Sequence, residues 1–159
     1  MAENRGKKFE EVIRESFNRV SNTSVIRLPD PVQGYLGYRN ISDFIVYHYP
    51  FQYFIECKSV HGNLLPFSNI TKNQWQGMLE MSKIRGVEAG VICWWVDKDI
   101  TKYLPIANLQ NLRDNNNKSI RFDTMMGMNV YGQKKRVFYN YDMERFFREV
   151  ENEYHSISW

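Results

Sequence analysis

Cysteine is scarce in this chain. There are two, Cys57 and Cys93, and each sits inside an apolar run. That excludes a disulfide framework and reads as two small buried thiols in a reducing compartment. Histidine is sparse as well: His48, His61 and His155 are scattered, with no zinc-type spacing among Cys and His. No apolar run approaches the ~18 residues of a membrane span, so no membrane partner is expected. The opening MAENRGKKFEEV lacks the apolar segment of a signal peptide, and a cytoplasmic protein is expected. No internal repeat is present. The one low-complexity patch, Asn115-Asn116-Asn117, reads as a loop tip.

Hydrophobic residues make up 43% of the 159 and charged residues 25%, the balance of an ordinary globular protein with one domain over residues 1–159. Aromatics reach 15%, which reads as a large aromatic core; the alternative is that some tyrosines and tryptophans meet bases or a partner. The net charge of +3 says little, but its distribution is uneven. From Arg113 to Arg136 there are six Lys or Arg against Asp114 and Asp123; from Asp142 to Glu153 there are two Arg against five acids. A basic region of this kind suits a polyanion, and many solvated surfaces share it.

Phe9, Val12, Ile13, Phe17 and Val20 recur at helical spacing, which predicts an amphipathic helix over about residues 5–20. Ser24–Leu28 is a short strand candidate. Phe44–Tyr49 and Phe51–Ile55 flank Pro50 as the two arms of a buried hairpin. A loop is expected over Ser59–Ile70. Thr71 is the expected cap of a helix running to about Arg85, with Trp75, Met78 and Leu79 facing in and Gly86 as its stop. Ala89–Val96 reads as a central strand buried on both faces. Ile100–Leu112 reads as a connection with one helical turn, and residues 113–136 as basic and irregular. Arg136–Tyr141 is a last strand candidate. Asp142 caps a final helix with Phe146, Phe147, Val150 and Tyr154 inward. The sum is α/β: a mixed β-sheet flanked by helices.

The hairpin carries the chemistry. Side chains two apart on a strand share a face, so Glu56 and Lys58 project together while Cys57 faces the core. A turn near His48–Gln52 brings Asp43 beside Glu56 on neighbouring strands. Two carboxylates that close repel unless a cation sits with them. Mg²⁺ takes oxygen ligands of this type, and the Cys57 carbonyl could add another. Lys58 beside the metal could orient or help deprotonate water and neutralise phosphate. Such a group suits phosphodiester hydrolysis. The alternative is a cross-strand salt bridge at a sheet edge.

At these residues the sequence resembles the PD-(D/E)xK nuclease superfamily, through Ser42-Asp43 followed by Glu56-Cys57-Lys58. Within it, the likeness is to RecU-type Holliday junction resolvases. Leu65–Gln74, LPFSNITKNQ, resembles the family's F-P-L-x-N-F-x-x-H-Q segment. Lys118–Arg121 resembles its K-S-I-R, and Gly6 with Glu10 matches the G-x-x-x-E start of related resolvases. The resemblance implies a restriction-endonuclease-like core, a homodimer, Mg²⁺ (or Mn²⁺), and cutting of branched or four-way DNA in recombination and repair. The setting it implies is a bacterium or a phage-infected host. By position, Asp43 and Glu56 are expected as metal ligands, Lys58 as the catalytic lysine, and Gln74 with its amide toward the metal water or the scissile phosphate. Glu10 is expected as a further acid. It lies at the edge of the apolar stripe, whereas Glu11 points to solvent.

The chain departs from that family in one place. RecU enzymes carry a long stalk before the acidic strand, and only residues 30–41 occupy that place here, too few for the same stalk. Tyr38 and Arg39 within it, with Lys7, Lys8, Arg27, Lys118, Arg121, Lys134 and Lys135, are the candidate DNA contacts, each adding salt-dependent, sequence-blind affinity. Two other readings remain open: a restriction-like or flap-processing nuclease of the same superfamily, and a non-catalytic DNA-binding module.

Overall fold

The computed structural model describes residues 2–29 and 40–158. In chain order the elements are α1 (Ala2–Asn18), β1 (Thr23–Arg27), β2 (Phe44–His48), β3 (Phe51–Val60), β4 (Leu64–Pro66), α2 (Lys72–Ser82), β5 (Val87–Trp95), β6 (Ile100–Pro105), α3 (Ile106–Asp114), β7 (Ser119–Arg121), β8 (Met128–Asn129), β9 (Gly132–Lys134), β10 (Tyr139–Tyr141) and α4 (Met143–Ser158).

Six strands form one sheet in the order β1-β2-β3-β5-β6-β8. β3 and β5 run parallel, joined through α2, and the other pairs are antiparallel. Period-two alternation along β3 sorts its side chains between two cores. Tyr53, Ile55 and Cys57 face α1 and α4, where Phe9, Ile13, Phe17, Phe146, Phe147 and Val150 close over them. Phe54 and Val60 face α2 and α3, against Trp75, Met78, Ile106 and Leu109. The molecule is therefore a mixed sheet between two helical layers, the α/β architecture expected. β5 lies at the centre and is buried on both faces from Glu88 to Trp95.

Gly90 marks a close backbone approach within that centre. A Cβ there would lie 2.5 Å from the Leu104 carbonyl oxygen and 2.7 Å from the Tyr103 ring. Only hydrogen fits where β5 passes β6.

Several boundaries differ from the sequence reading. Ile100–Leu112 is not a connection: β6 occupies its first half and α3 the rest. Residues 113–136 are not wholly irregular. β7 pairs antiparallel with β4, β8 adds to the main sheet, and β9 pairs with β10. β3 runs on to Val60 and β4 follows, inside the expected loop. α2 stops at Ser82, before Arg85. The last strand candidate shrinks to Tyr139–Tyr141. These short strands were missed because two- or three-residue pairings carry no periodicity; a partner segment, not a local pattern, makes them strands. Tyr154 lies outside the described side chains. No described helix is long and apolar enough to cross a membrane.

Candidate active site

β2 and β3 are antiparallel, and their register ends on the pair Phe44 and Ile55. Asp43 stands one step beyond, opposite Glu56. Its backbone is held on both sides: its N–H donates to the Ile55 carbonyl at 3.1 Å, and its carbonyl accepts from Leu28 N–H at 2.8 Å. The buried Ser42 hydroxyl donates to the Phe44 carbonyl at 3.0 Å and fixes the lead-in. With the chain pinned, the Asp43 carboxylate crosses to β3, where Oδ2 accepts from Cys57 N–H at 2.8 Å.

Glu56 is buried, and its charge raises the cost of ionising Asp43 across the strand pair. Lys58, on the same face of β3, places Nζ 3.1 Å from Glu56 Oε2. Gln74 from α2 donates Nε2–H to that same oxygen at 3.1 Å. Glu56 Oε1 is left buried with no hydrogen-bond partner among the described residues. The predicted group Asp43, Glu56, Lys58 and Gln74 is thus one cluster at the rim of the sheet.

Its electrostatics are those of crowded acids. Burial first, and the neighbouring Glu56 second, push Asp43 from 3.8 to about 8. Burial likewise raises Glu56, with Lys58 opposing. Glu10 from α1 adds a smaller repulsion to both carboxyls. Glu10 Oε2 is itself bridged to Arg27 Nη2 at 3.2 Å.

The donor set fits a hard dication. It offers two carboxyl groups of which one oxygen is buried and unpartnered, an excess of negative charge, and the Cys57 carbonyl. That carbonyl projects to the same side of β3 as the N–H bonded to Asp43. Mg²⁺ is commonly held by one or two carboxylates with water and substrate phosphate making up the rest. Among the described residues no three Asp, Glu, His or Cys side chains form a metal cage by themselves. Cys57 can contribute only through its backbone, because burial and the nearby acids drive its thiol far up in pKa, away from the thiolate a metal would bind.

Gln74 is fixed at both ends of its amide. Thr71 and Gln74 form a capping box: Thr71 Oγ1 accepts from Gln74 N–H, and Gln74 Oε1 accepts from Thr71 N–H, both at 3.1 Å. The amide is therefore held between the helix cap and Glu56, with one Nε2 hydrogen on Glu56. It orients Glu56.

The expected DNA contacts fall into three groups. Lys7 and Lys8 are exposed on α1, and Arg27 on β1 lines a small cleft with Lys7, Glu10 and Arg14. Lys118 precedes β7 and Arg121 ends it, pairing with Asp123 at 3.0 Å. Lys134 at the end of β9 is paired with Asp99, and Lys135 follows it, exposed. Tyr38 and Arg39 lie outside the described residues. Sequence reasoning missed the pairing of Arg27 with Glu10, which only the β1–α1 contact creates. It also missed a link across the end of β3, where Arg5 Nη1 bonds His61 Nε2 at 2.8 Å and His61 Nδ1 bonds Asp97 at 3.0 Å. Scattered histidines gave no signal for it.

No family model matches this chain, and no curated protein matches it. Among solved structures it is similar to Hjc, a Holliday junction resolvase from Archaeoglobus fulgidus, at 14% identity over 79% of this chain and 87% of that one, with a TM-score of 0.49. It is also similar to the bacterial homing endonuclease I-Ssp6803I, at 11% identity over 99% of both chains, with a TM-score of 0.47.

Proposed function

We propose that this chain is a divalent-metal-dependent DNA endonuclease of the PD-(D/E)xK type, and that its substrate is branched DNA, as in RecU-like junction resolvases. One observation carries the reading: Asp43 and Glu56 meet at the sheet rim with Lys58 3.1 Å from Glu56, and a buried Glu56 oxygen has no partner among the described residues. A salt bridge built for stability would not bury a second carboxyl group beside the first, because each raises the other's cost of ionisation.

Asp43, Glu56 and the Cys57 carbonyl would hold Mg²⁺ or Mn²⁺. When bound, the ion supplies Lewis-acid charge to the phosphate and acidifies water. The protein's own groups do the rest. Gln74 keeps Glu56 in one rotamer. Lys58, shared between Glu56 and the open rim, faces the position where a phosphate anion would approach, and can orient water by donating to it. Glu10, tethered by Arg27, adds negative charge that favours a cation.

Wild type and the Asp43→Ala and Glu56→Ala variants, assayed in Mg²⁺ on labelled four-way junction, flap, single-stranded and linear duplex DNA, test this. Wild type is expected to nick the mobile junction symmetrically, while both variants bind DNA and cut nothing. Equal cutting of linear duplex would reject junction selectivity in favour of a restriction-like or flap-processing enzyme. Cutting by both variants would reject the site.

A further inference from the structure

One large concave site lies away from the carboxyl pair. It is a groove of about 1110 Å³ between α2, α3 and the β4–β7 ribbon. α2's first turn joins the two places: Gln74 reaches Glu56, while Lys72 and Trp75 line the groove. Phe67 and Trp75 form its floor, ring against ring at 5.2 Å. Three cations, Lys72, Arg113 and Lys118, stand around it, and no Asp or Glu lines it. None of the three has a carboxylate partner among the described residues, unlike Arg27, Arg121 and Lys134.

Arg113 is the informative residue. Its guanidinium lies over the Trp75 ring, 4.8 Å from the centroid, and the side chain is otherwise exposed. Trp75 is itself 2% exposed and its indole N–H is bound to Gln110 Oε1 at 2.6 Å, so it cannot move out to meet a ligand. It serves as a backing that holds Arg113 flat. The outer face of that planar cation is open to the groove, and a guanidinium plane is a stacking surface for an unpaired base. Gln76 and Asn116 supply amide groups alongside, suited to base edges. The volume exceeds that of ordinary small-molecule pockets, roughly 300–1,000 Å³, and the groove opens to solvent.

We infer that this groove binds an unpaired DNA strand next to the cleavage site, with a base stacked on Arg113 and phosphates at Lys72 and Lys118. The inference rests on the nuclease reading for its setting and names the substrate feature: a strand unstacked near the nick, as at a junction's crossover or a flap.

The test is binding of a short oligothymidylate carrying one 2-aminopurine to the full chain in EDTA, where nothing is cut. Wild type is expected to bind it and to shift the probe's fluorescence. Arg113→Lys, which keeps the charge and loses the plane, is expected to weaken binding about tenfold and abolish the shift with the salt slope unchanged. Lys118→Ala is expected to lower the salt slope by about one. Binding of a duplex of equal length should be unmoved by Arg113→Lys. Single-strand binding by Arg113→Lys and Arg113→Ala equal to wild type would overturn the groove, as would equal loss on duplex or displacement by equimolar thymidine monophosphate. Cleavage plays no part in this readout. A chain that cuts nothing yet binds through Arg113 upholds the groove and refutes the nuclease; one that cuts but ignores Arg113 does the reverse.

Discussion

Asp43 is an acid that the fold keeps from ionising. In the unfolded chain it loses its proton near 3.8; in the folded, metal-free chain it keeps it to about 8. Between those values the folded state binds more protons than the unfolded one, so its stability falls as pH rises through that window and is greatest below it. Glu88, buried in the opposite layer and raised to about 7, acts in the same direction. Urea denaturation in EDTA from pH 5 to pH 8 is therefore expected to show declining stability, with a shallower decline in Asp43→Asn. A rise in wild-type stability over that range would contradict the crowding of the two carboxyls. Lys58 makes a second, separate prediction. Lys58→Met is expected to lower cutting by about 10²- to 10⁴-fold while DNA binding persists, measured as single-turnover nicking against gel-shift affinity. Gln74→Ala, which frees Glu56 without removing it, should cost about 10–100-fold in the same assay.

The elements show why some of this was legible in the sequence. α1, the hairpin, α2 and α4 are each long enough to print a period and β5 to print an unbroken apolar run, and the residues at the centre of each pattern are buried: Phe9, Ile13 and Phe17 on α1, Ala89 to Trp95 on β5. The acid–x–lysine step was legible because alternation alone puts Glu56 and Lys58 on one face. The pairing of Glu10 with Arg27, the groove under Arg113 and the β4–β7 ribbon were not, because each depends on segments far apart in number meeting through tertiary packing. The β5–β6 crossing yields a prediction of its own. Gly90→Ala drives a Cβ into the Leu104 carbonyl and should destabilise the chain by about 1–3 kcal/mol, read from chemical denaturation. Unchanged stability would mean that β6 is free to shift away from β5.

At the scale of the whole molecule, one sheet supports two neighbouring demands. Its rim gathers acids that favour a cation, while Lys7, Lys8, Lys72 and Arg113 on the helices and Lys118 before β7 spread positive charge around it. Two opposed nicks in a junction need two such rims, so a junction resolvase should sediment as a dimer at assay concentrations; a strict monomer would favour the single-nick alternatives. The central claim is the cation itself. Mn²⁺ titration followed by electron paramagnetic resonance, at pH 6 and pH 8, tests it most directly. Wild type should hold Mn²⁺ in a saturable site that tightens toward pH 8 as the acids give up their protons, and Asp43→Asn and Glu56→Gln should lose it. Identical Mn²⁺ binding by wild type and both variants would contradict the account.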